Sequence, residues 1–452
     1  MNLLEKIYAK KATENGDVSY KTTGNNLTDL FFMTSFFEKN LDQVKIGTTD
    51  KEKLFSMFVR DPRFGLGRRD LGRRLMQLSN VSAEDIILAG RFDDLWKIPT
   101  DNNLEVLKKY VEENNLAKKW MPRLTGKDKM IAKAICEEWN IDEKAYRNLI
   151  KNDSTVEYKL SFAEKQNGTE LNNLFNKNEY IHPLVEKIDF EKVPSLAMTK
   201  YLNCFSTRED IKPRFDKYMQ EVKENKKKVN VSTTNVHDSY KTVSRGTSTE
   251  NADILGKKIV DNATIGVEMN AIVILDTSGS MGSRIDDNSL LNKATSVAHG
   301  IAIHSTYAPN QIISFSSRPR LMTIKGDTLK EQYNSMYTGD CSNTDFGKVM
   351  NILQGLHKFP EYLIVLSDME FDYGSNQSKK ATMKIFKDAG AETKIIWWNL
   401  NDRNKTVPEF DEYGNIYLSG YNLQILKLLE NKFDMTTYID KILEDYKKKI
   451  NK

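Results

Sequence analysis

The chain has 452 residues but only three cysteines, Cys136, Cys204 and Cys341, far apart and odd in number. They make no CxxC pair and no disulfide framework, which fits a reducing compartment. Long apolar runs are also missing. No stretch approaches the roughly 18 apolar residues of a membrane span. The opening MNLLEKIYAKKATENG has no apolar core for a signal peptide. A cytoplasmic protein with no membrane partner is therefore expected. A large excess of one charge is absent too. A formal net charge of +4 is too small to name a nucleic-acid binder from the total, so any basic surface is local. There is no G-x-x-x-x-G-K-[ST] phosphate loop and no G-x-S-x-G nucleophile elbow. The five histidines, His182, His237, His299, His304 and His357, form no H-x-x-x-H pair and read as structural. Nothing assembles a catalytic set, and a non-enzymatic protein is expected.

What is present is globular. Hydrophobic residues make up 39% and charged residues 29%, and the length exceeds one typical core, so two or more domains are expected. Residues 1–220 read as short amphipathic helices with polar breaks, for example NNLTDLFFMTSFFEKNL, TDNNLEVLKKYVEENNLA and KDKMIAKAICEEWN. No fixed repeat period emerges, so the reading is an irregular α-helical array. Residues 221–265 are rich in Lys, Ser, Thr and Asn and read as a linker or crossing segment, with NADILGKKIVDNA compatible with helix. Residues 266–452 alternate apolar strands (AIVILD, QIISFS, YLIVLSD, TKIIWWNL, NIYLSG) with helices near 290–307, 345–358, 377–389 and 421–432. That alternation predicts a doubly wound, Rossmann-like α/β domain with ligands at the carboxyl ends of its parallel strands.

One such end carries oxygen. AIVILDTSGSMG places Asp276, Ser278 and Ser280 two residues apart. GDCSNTDFG offers Thr344 before a helix, and LSDMEFD offers Asp368 at another strand end. Alone, D-x-S-x-S is as readily a capped turn before a helix. With Thr344 and Asp368 the set suits Mg²⁺ or Mn²⁺, hard cations that take carboxylate, hydroxyl and water oxygens. Glu370 and Asp372 continue the acid alternation and read as capping or pairing groups, not as ligands.

The helical half has its own concentration of charge. RDPRFGLGRRDLGRRLM holds Arg60, Arg63, Arg68, Arg69, Arg73 and Arg74 against Asp61 and Asp70. Arginine forks suit phosphate, and a glycine turn lets backbone N–H groups approach it. A helix face knit by internal Arg–Asp pairs, such as Asp70 with Arg74, is the equal alternative.

These motifs carry a resemblance. D-x-S-x-S, Thr344 and Asp368 resemble the metal-ion-dependent adhesion site (MIDAS) of von Willebrand factor A domains. That likeness implies that Asp276, Ser278 and Ser280 ligate the metal directly or through water. It also implies that Thr344 ligates in one coordination mode and that Asp368 holds a metal-bound water. The Arg- and Gly-rich segment within a helical array, followed by such a domain, resembles the Ro autoantigen (TROVE) class. The chain looks closer still to a related plant, viral and bacterial family whose C-terminal domain carries SDMEFD, seen here at 367–372. VPSLAMTKY, RFDKYMQEVK and LSGYNLQILKLL look like its recurring segments, so the likeness covers most of the chain. It implies a HEAT-like array, closed into a ring in Ro proteins, and a ribonucleoprotein role with small structured or misfolded RNA. Arg63, Arg68, Arg69, Arg73 and Arg74 are then the candidate RNA contacts. The alternative is a metal-dependent protein-interaction scaffold, such as a phage or bacterial structural or assembly component. A nuclease or phosphatase would need more carboxylates and a base.

Overall fold

The computed structural model describes residues 11–12, 18–19, 26–32, 44–98, 101–151, 188–231, 234–245, 249–264, 268–282, 289–316, 318–339, 346–355, 358–368, 384, 386–400, 409–410, 416–419 and 435–451. A short antiparallel pair, β1 (Lys11–Ala12) and β2 (Val18–Ser19), precedes a run of helices. These are α1 (Asn26–Phe32), α2 (Asp50–Arg60), α3 (Arg69–Leu78), α4 (Ala83–Ala89), α5 (Phe92–Lys97), α6 (Asp101–Glu113), α7 (Asn115–Trp120), α8 (Lys129–Glu138) and α9 (Glu143–Leu149). Local chemistry explains their starts. Thr49 and Glu52 form a capping box on α2, and Ser82 and Asp142 cap α4 and α9. Asn80 and Asn140 adopt positive φ just beyond α3 and α8, where a short amide side chain tolerates the left-handed turn.

The stretch read as a linker is largely helical. After α10 (Ser195–Thr207) and α11 (Lys212–Lys223) come α12 (Val236–Arg245) and α13 (Thr249–Thr264). The polar composition of 221–265 hides apolar residues at helical spacing. Val236, Tyr240 and Val243 are buried along α12, and Leu255, Ile259 and Val260 along α13. Residues 188–231 form a separate hydrophobic cluster with Ala252, Ile254, Leu255 and Ile259 of α13.

A seven-stranded sheet follows, in the order β5-β4-β3-β6-β7-β9-β8 once the strands are numbered along the chain. They are β3 (Ala271–Asp276), β4 (Gln311–Phe315), β5 (Arg320–Thr323), β6 (Tyr362–Ser367), β7 (Lys394–Asn399), β8 (Glu409–Phe410) and β9 (Ile416–Ser419). The five inner strands are mutually parallel, and the edge strands β5 and β8 run antiparallel to their neighbours. Helices cover both faces. α14 (Leu290–Ala302) shares a cluster with Ala271, Val273 and Leu275, whereas α16 (Phe346–Gln354) shares the opposite one with Ile272 and Ile274. α15 (Leu329–Ser335) lies beside α12 and α13, and α17 (Met435–Ile450) returns to α1 and α2. The helices expected near 377–389 and 421–432 lie largely or wholly outside the described residues. The protein is thus a mixed α/β molecule, helical in its first part and built on a mostly parallel sheet in its last. Among the described residues no helix is long and apolar enough to cross a membrane.

Candidate functional site

The sheet order puts a switch point between β3 and β6, because the chain leaves β3 toward β4 on one side and returns as β6 on the other. Asp276 ends β3 and is fully buried. Its Oδ1 accepts the Ser278 backbone N–H at 2.9 Å, and its Oδ2 accepts the Ser367 hydroxyl at 2.5 Å. The Ser278 and Ser280 hydroxyls stand 3.1 Å apart. A single 3₁₀ turn, Gly279–Met281, lifts Ser280 to the surface, and Gly282 closes it at φ +86. Asp368, also buried, follows directly on β6. Thr344, Glu370 and Asp372 lie outside the described residues.

Electrostatics distinguishes Asp276. Burial pushes its carboxyl up to about 7; the hydrogen bonds from Ser278 and Ser367 oppose the rise, and the charge of Asp368 adds to it. A buried carboxylate beside a second one is a position that a cation relieves. The donors fit a hard divalent ion: two carboxylates and two hydroxyls, all oxygen. Among the described residues no group of three or more His, Cys, Asp or Glu side chains is placed to hold a metal ion. Ser367 is a contributor that the sequence reading missed. Its only signal is its place as the last residue of β6, immediately before Asp368.

The arginine segment divides into two groups. Arg60 is buried and donates to Asp94 Oδ2 at 2.7 Å. Arg73 reaches Asp94 at 2.6 Å, Asp93 at 3.4 Å and Asp70 at 3.1 Å. Arg91 and Lys97 also hold Asp93, at 2.7 Å and 2.6 Å. Burial alone would raise the Asp93 carboxyl, but these cationic donors hold it below the ordinary range. Asp70 therefore pairs with Arg73, three residues on, and not with Arg74, whose guanidinium donates to Gln77 at 3.1 Å. Arg60 and Arg73 are internal struts.

The other arginines lie on or beside the α2–α3 loop. Asp61 accepts from the Arg63 backbone at 2.7 Å and from its guanidinium at 3.2 and 3.3 Å. Arg63 also donates to the Leu88 carbonyl. Backbone bonds lock the turn: Gly65 and Gly67 N–H to the Asp61 carbonyl, Leu66 N–H to Phe58 and Arg68 N–H to Val59. The glycines are required, since a Cβ on Gly65 would sit 1.8 Å from the Phe58 carbonyl oxygen and Gly67 holds φ +66. Arg68 is half-buried and within electrostatic reach of His237, together with Lys241 and Lys293. Lys293 belongs to the first turn of α14, whose cap residue Ser289 abuts Gly282 of the Asp276 loop. Arg69 is exposed and makes no hydrogen bond or ion pair among the described residues.

The histidines are structural where described. His299 bonds Gln332 and His304 bonds Thr264, each at 2.8 Å, and His237 is half-buried on α12. His182, His357 and Cys341 lie outside the described residues, and Cys136 and Cys204 are free thiols.

Comparison with other proteins adds likenesses without an activity. Residues 97–267 match a family model described as a domain of unknown function (DUF2828), and residues 270–451 match a second (DUF7788). An uncharacterized protein of Acanthamoeba polyphaga mimivirus is 23% identical over 510 aligned residues, covering 96% of this chain and 87% of the relative. The crystal structure of the Ro (RSR) protein of Deinococcus radiodurans aligns over 96% of this chain and 99% of its own, at 12% identity and a TM-score of 0.41.

Proposed function

We propose that this chain is a non-enzymatic RNA-binding protein. In this reading the first half is a HEAT-like, Ro-type helical array. The second is a von Willebrand A-like domain with a Mg²⁺ or Mn²⁺ site at Asp276, Ser278, Ser280, Thr344 and Asp368. The observation that carries it is the α2–α3 loop. That loop is locked by its own backbone, leaves Arg69 exposed without an ion pair among the described residues, and keeps the Arg63 side chain 52% exposed. A fixed backbone presents these guanidiniums in one place, and the planar Arg fork suits phosphate. A divalent cation at the Asp276 site would supply an open coordination position for an acidic or phosphate oxygen.

The test is fluorescence anisotropy with a small structured RNA over a range of salt. Affinity should fall steeply as salt rises, and Arg69→Glu with Arg74→Glu should weaken binding about ten-fold or more and flatten the salt slope. Unchanged affinity in the double variant would sink the proposal. Titration calorimetry with Mg²⁺ tests the cation site separately: Asp276→Ala should abolish the heat of binding.

A second reading, a metal-dependent protein-interaction scaffold, is favoured by one observation. Ser280 is exposed four residues after buried Asp276, with its hydroxyl 3.1 Å from that of Ser278, and a partner's carboxylate could enter there. Association with a defined partner that is lost both in chelator and in Asp276→Ala, with no RNA bound, would select it.

A further inference from the structure

The α2–α3 loop carries a feature that phosphate binding does not use. Phe64 stands at its tip with 43% of its surface exposed, while Phe55 and Phe58 of the preceding helix are buried. A lone exposed phenylalanine is ordinary on a protein surface. This one differs in how it is held. The turn on either side is fixed by the bonds of Gly65, Leu66, Gly67 and Arg68 to α2 and Asp61, and two of its residues can only be glycine. The Arg63 guanidinium lies 5.5 Å from the Phe64 ring centre, itself anchored to Asp61 and Leu88. Leu88, whose carbonyl holds Arg63, is itself 38% exposed. The acid nearest in the chain, Asp61, is bonded to Arg63; Asp70 is engaged by Arg73, and Asp85 by the Ser82 cap. A ring on a fixed turn beside an arginine, with Arg69 a few residues on and unpaired among the described residues, has the chemistry of a nucleobase platform: the π-face takes a base and the cations take its phosphates.

We propose that Phe64 is a base-stacking platform that selects unpaired nucleotides. This inference rests on the RNA-binding reading above and adds to it a residue and a preference for single strands, since a paired base cannot offer its face to the ring. Charge favours nucleic acid over a protein partner here, because the side chain held against the ring is the Arg63 guanidinium and exposed Arg69 follows at the end of the loop.

The full-length protein is titrated with a 12-nucleotide single-stranded RNA carrying 2-aminopurine and with the same strand annealed to its complement. Phe64→Ala should weaken single-strand binding about 5- to 150-fold, the range for loss of one stacked base. It should leave duplex binding and the thermal midpoint unchanged. Phe64→Trp should restore affinity and quench the 2-aminopurine. Arg69→Glu should weaken both RNAs. Full single-strand affinity in Phe64→Ala would overturn the platform and leave the RNA-binding reading intact. Failure of the wild-type protein to bind either RNA would overturn both. A stoichiometric protein partner lost only in Phe64→Ala, with RNA affinity unchanged, would reassign the ring to a protein contact.

Discussion

At the scale of single residues, a buried imidazole makes the fold answer to pH. His299 lies on α14 and packs edge-on against Tyr333, ring centres 5.0 Å apart. Its Nε2 faces the Gln332 carbonyl oxygen at 2.8 Å, which assigns the proton to Nε2. Burial lowers its pKa to about 4; the Gln332 bond opposes that, and His304 and Lys257 add to it. In the unfolded chain the group titrates near ~6.5. A depressed histidine takes up its proton on unfolding, so its contribution is fully present above about 6.5 and is lost as pH falls toward 4. Urea unfolding at pH 7.5, 6 and 5 should show the wild type losing about 1.4 kcal/mol per pH unit relative to His299→Gln across that window. Parallel curves would refute this. At the same scale, legibility followed sequence distance. Asp276, Ser278 and Ser280 announce themselves because their partners lie two residues apart. Arg73 reads in sequence as a candidate RNA contact because Asp94 and Asp93, which hold it, lie 21 and 20 residues away, and only folding brings them in.

Elements were legible where both faces are buried. β3 and β6 are buried at every position and read as unbroken apolar runs. The edge strands β5, RLMT, and β8, EF, were missed, because an edge that is largely exposed or two residues long has no pattern to read. The docking of α17 on α1 and α2 was equally hidden, since it joins residues nearly 400 apart. Tyr446 meets Phe58 edge-on at 5.4 Å, and its hydroxyl donates to buried Asp61 at 3.2 Å. Asp61 also organises the Arg63 loop, so the last helix reaches the arginine segment through one carboxylate. Tyr446→Phe should destabilise by about 1–3 kcal/mol, the range for leaving a buried hydrogen-bonding group without its partner. Tyr446→Ala should destabilise by more than Tyr446→Phe, because it also opens a cavity against Phe58. Chemical denaturation measures both, and equal losses would mean that the ring contributes nothing to docking.

For the whole molecule, the boundary seen in sequence and the boundary in packing differ. The two family-model matches meet between residues 267 and 270, where helices give way to β3. The hydrophobic core does not stop there. One cluster joins Phe55, Leu75, Leu107 and Val111 of the helical half to Val243 and Val260, to Val273 and Ile364 of the sheet, and to Ile439 and Leu443 of α17. The clusters over residues 188–259 and on the opposite face of the sheet stand apart from it. Residues that share one core open together, because exposing part of it strands the rest against water. Ile364→Ala, in a fully buried position of β6, should remove about 2–5 kcal/mol. In native-state hydrogen exchange that loss should appear in the amides of α6 around Leu107 and Val111 as well as in β3 and β6. If protection falls in the sheet alone while α6 keeps its wild-type exchange rates, the halves are energetically independent and the shared cluster is contact without cooperativity. Loss in both places would make the shared cluster a mechanical link, through which a ligand held at Asp276 would stabilise the arginine-bearing helices by mass action.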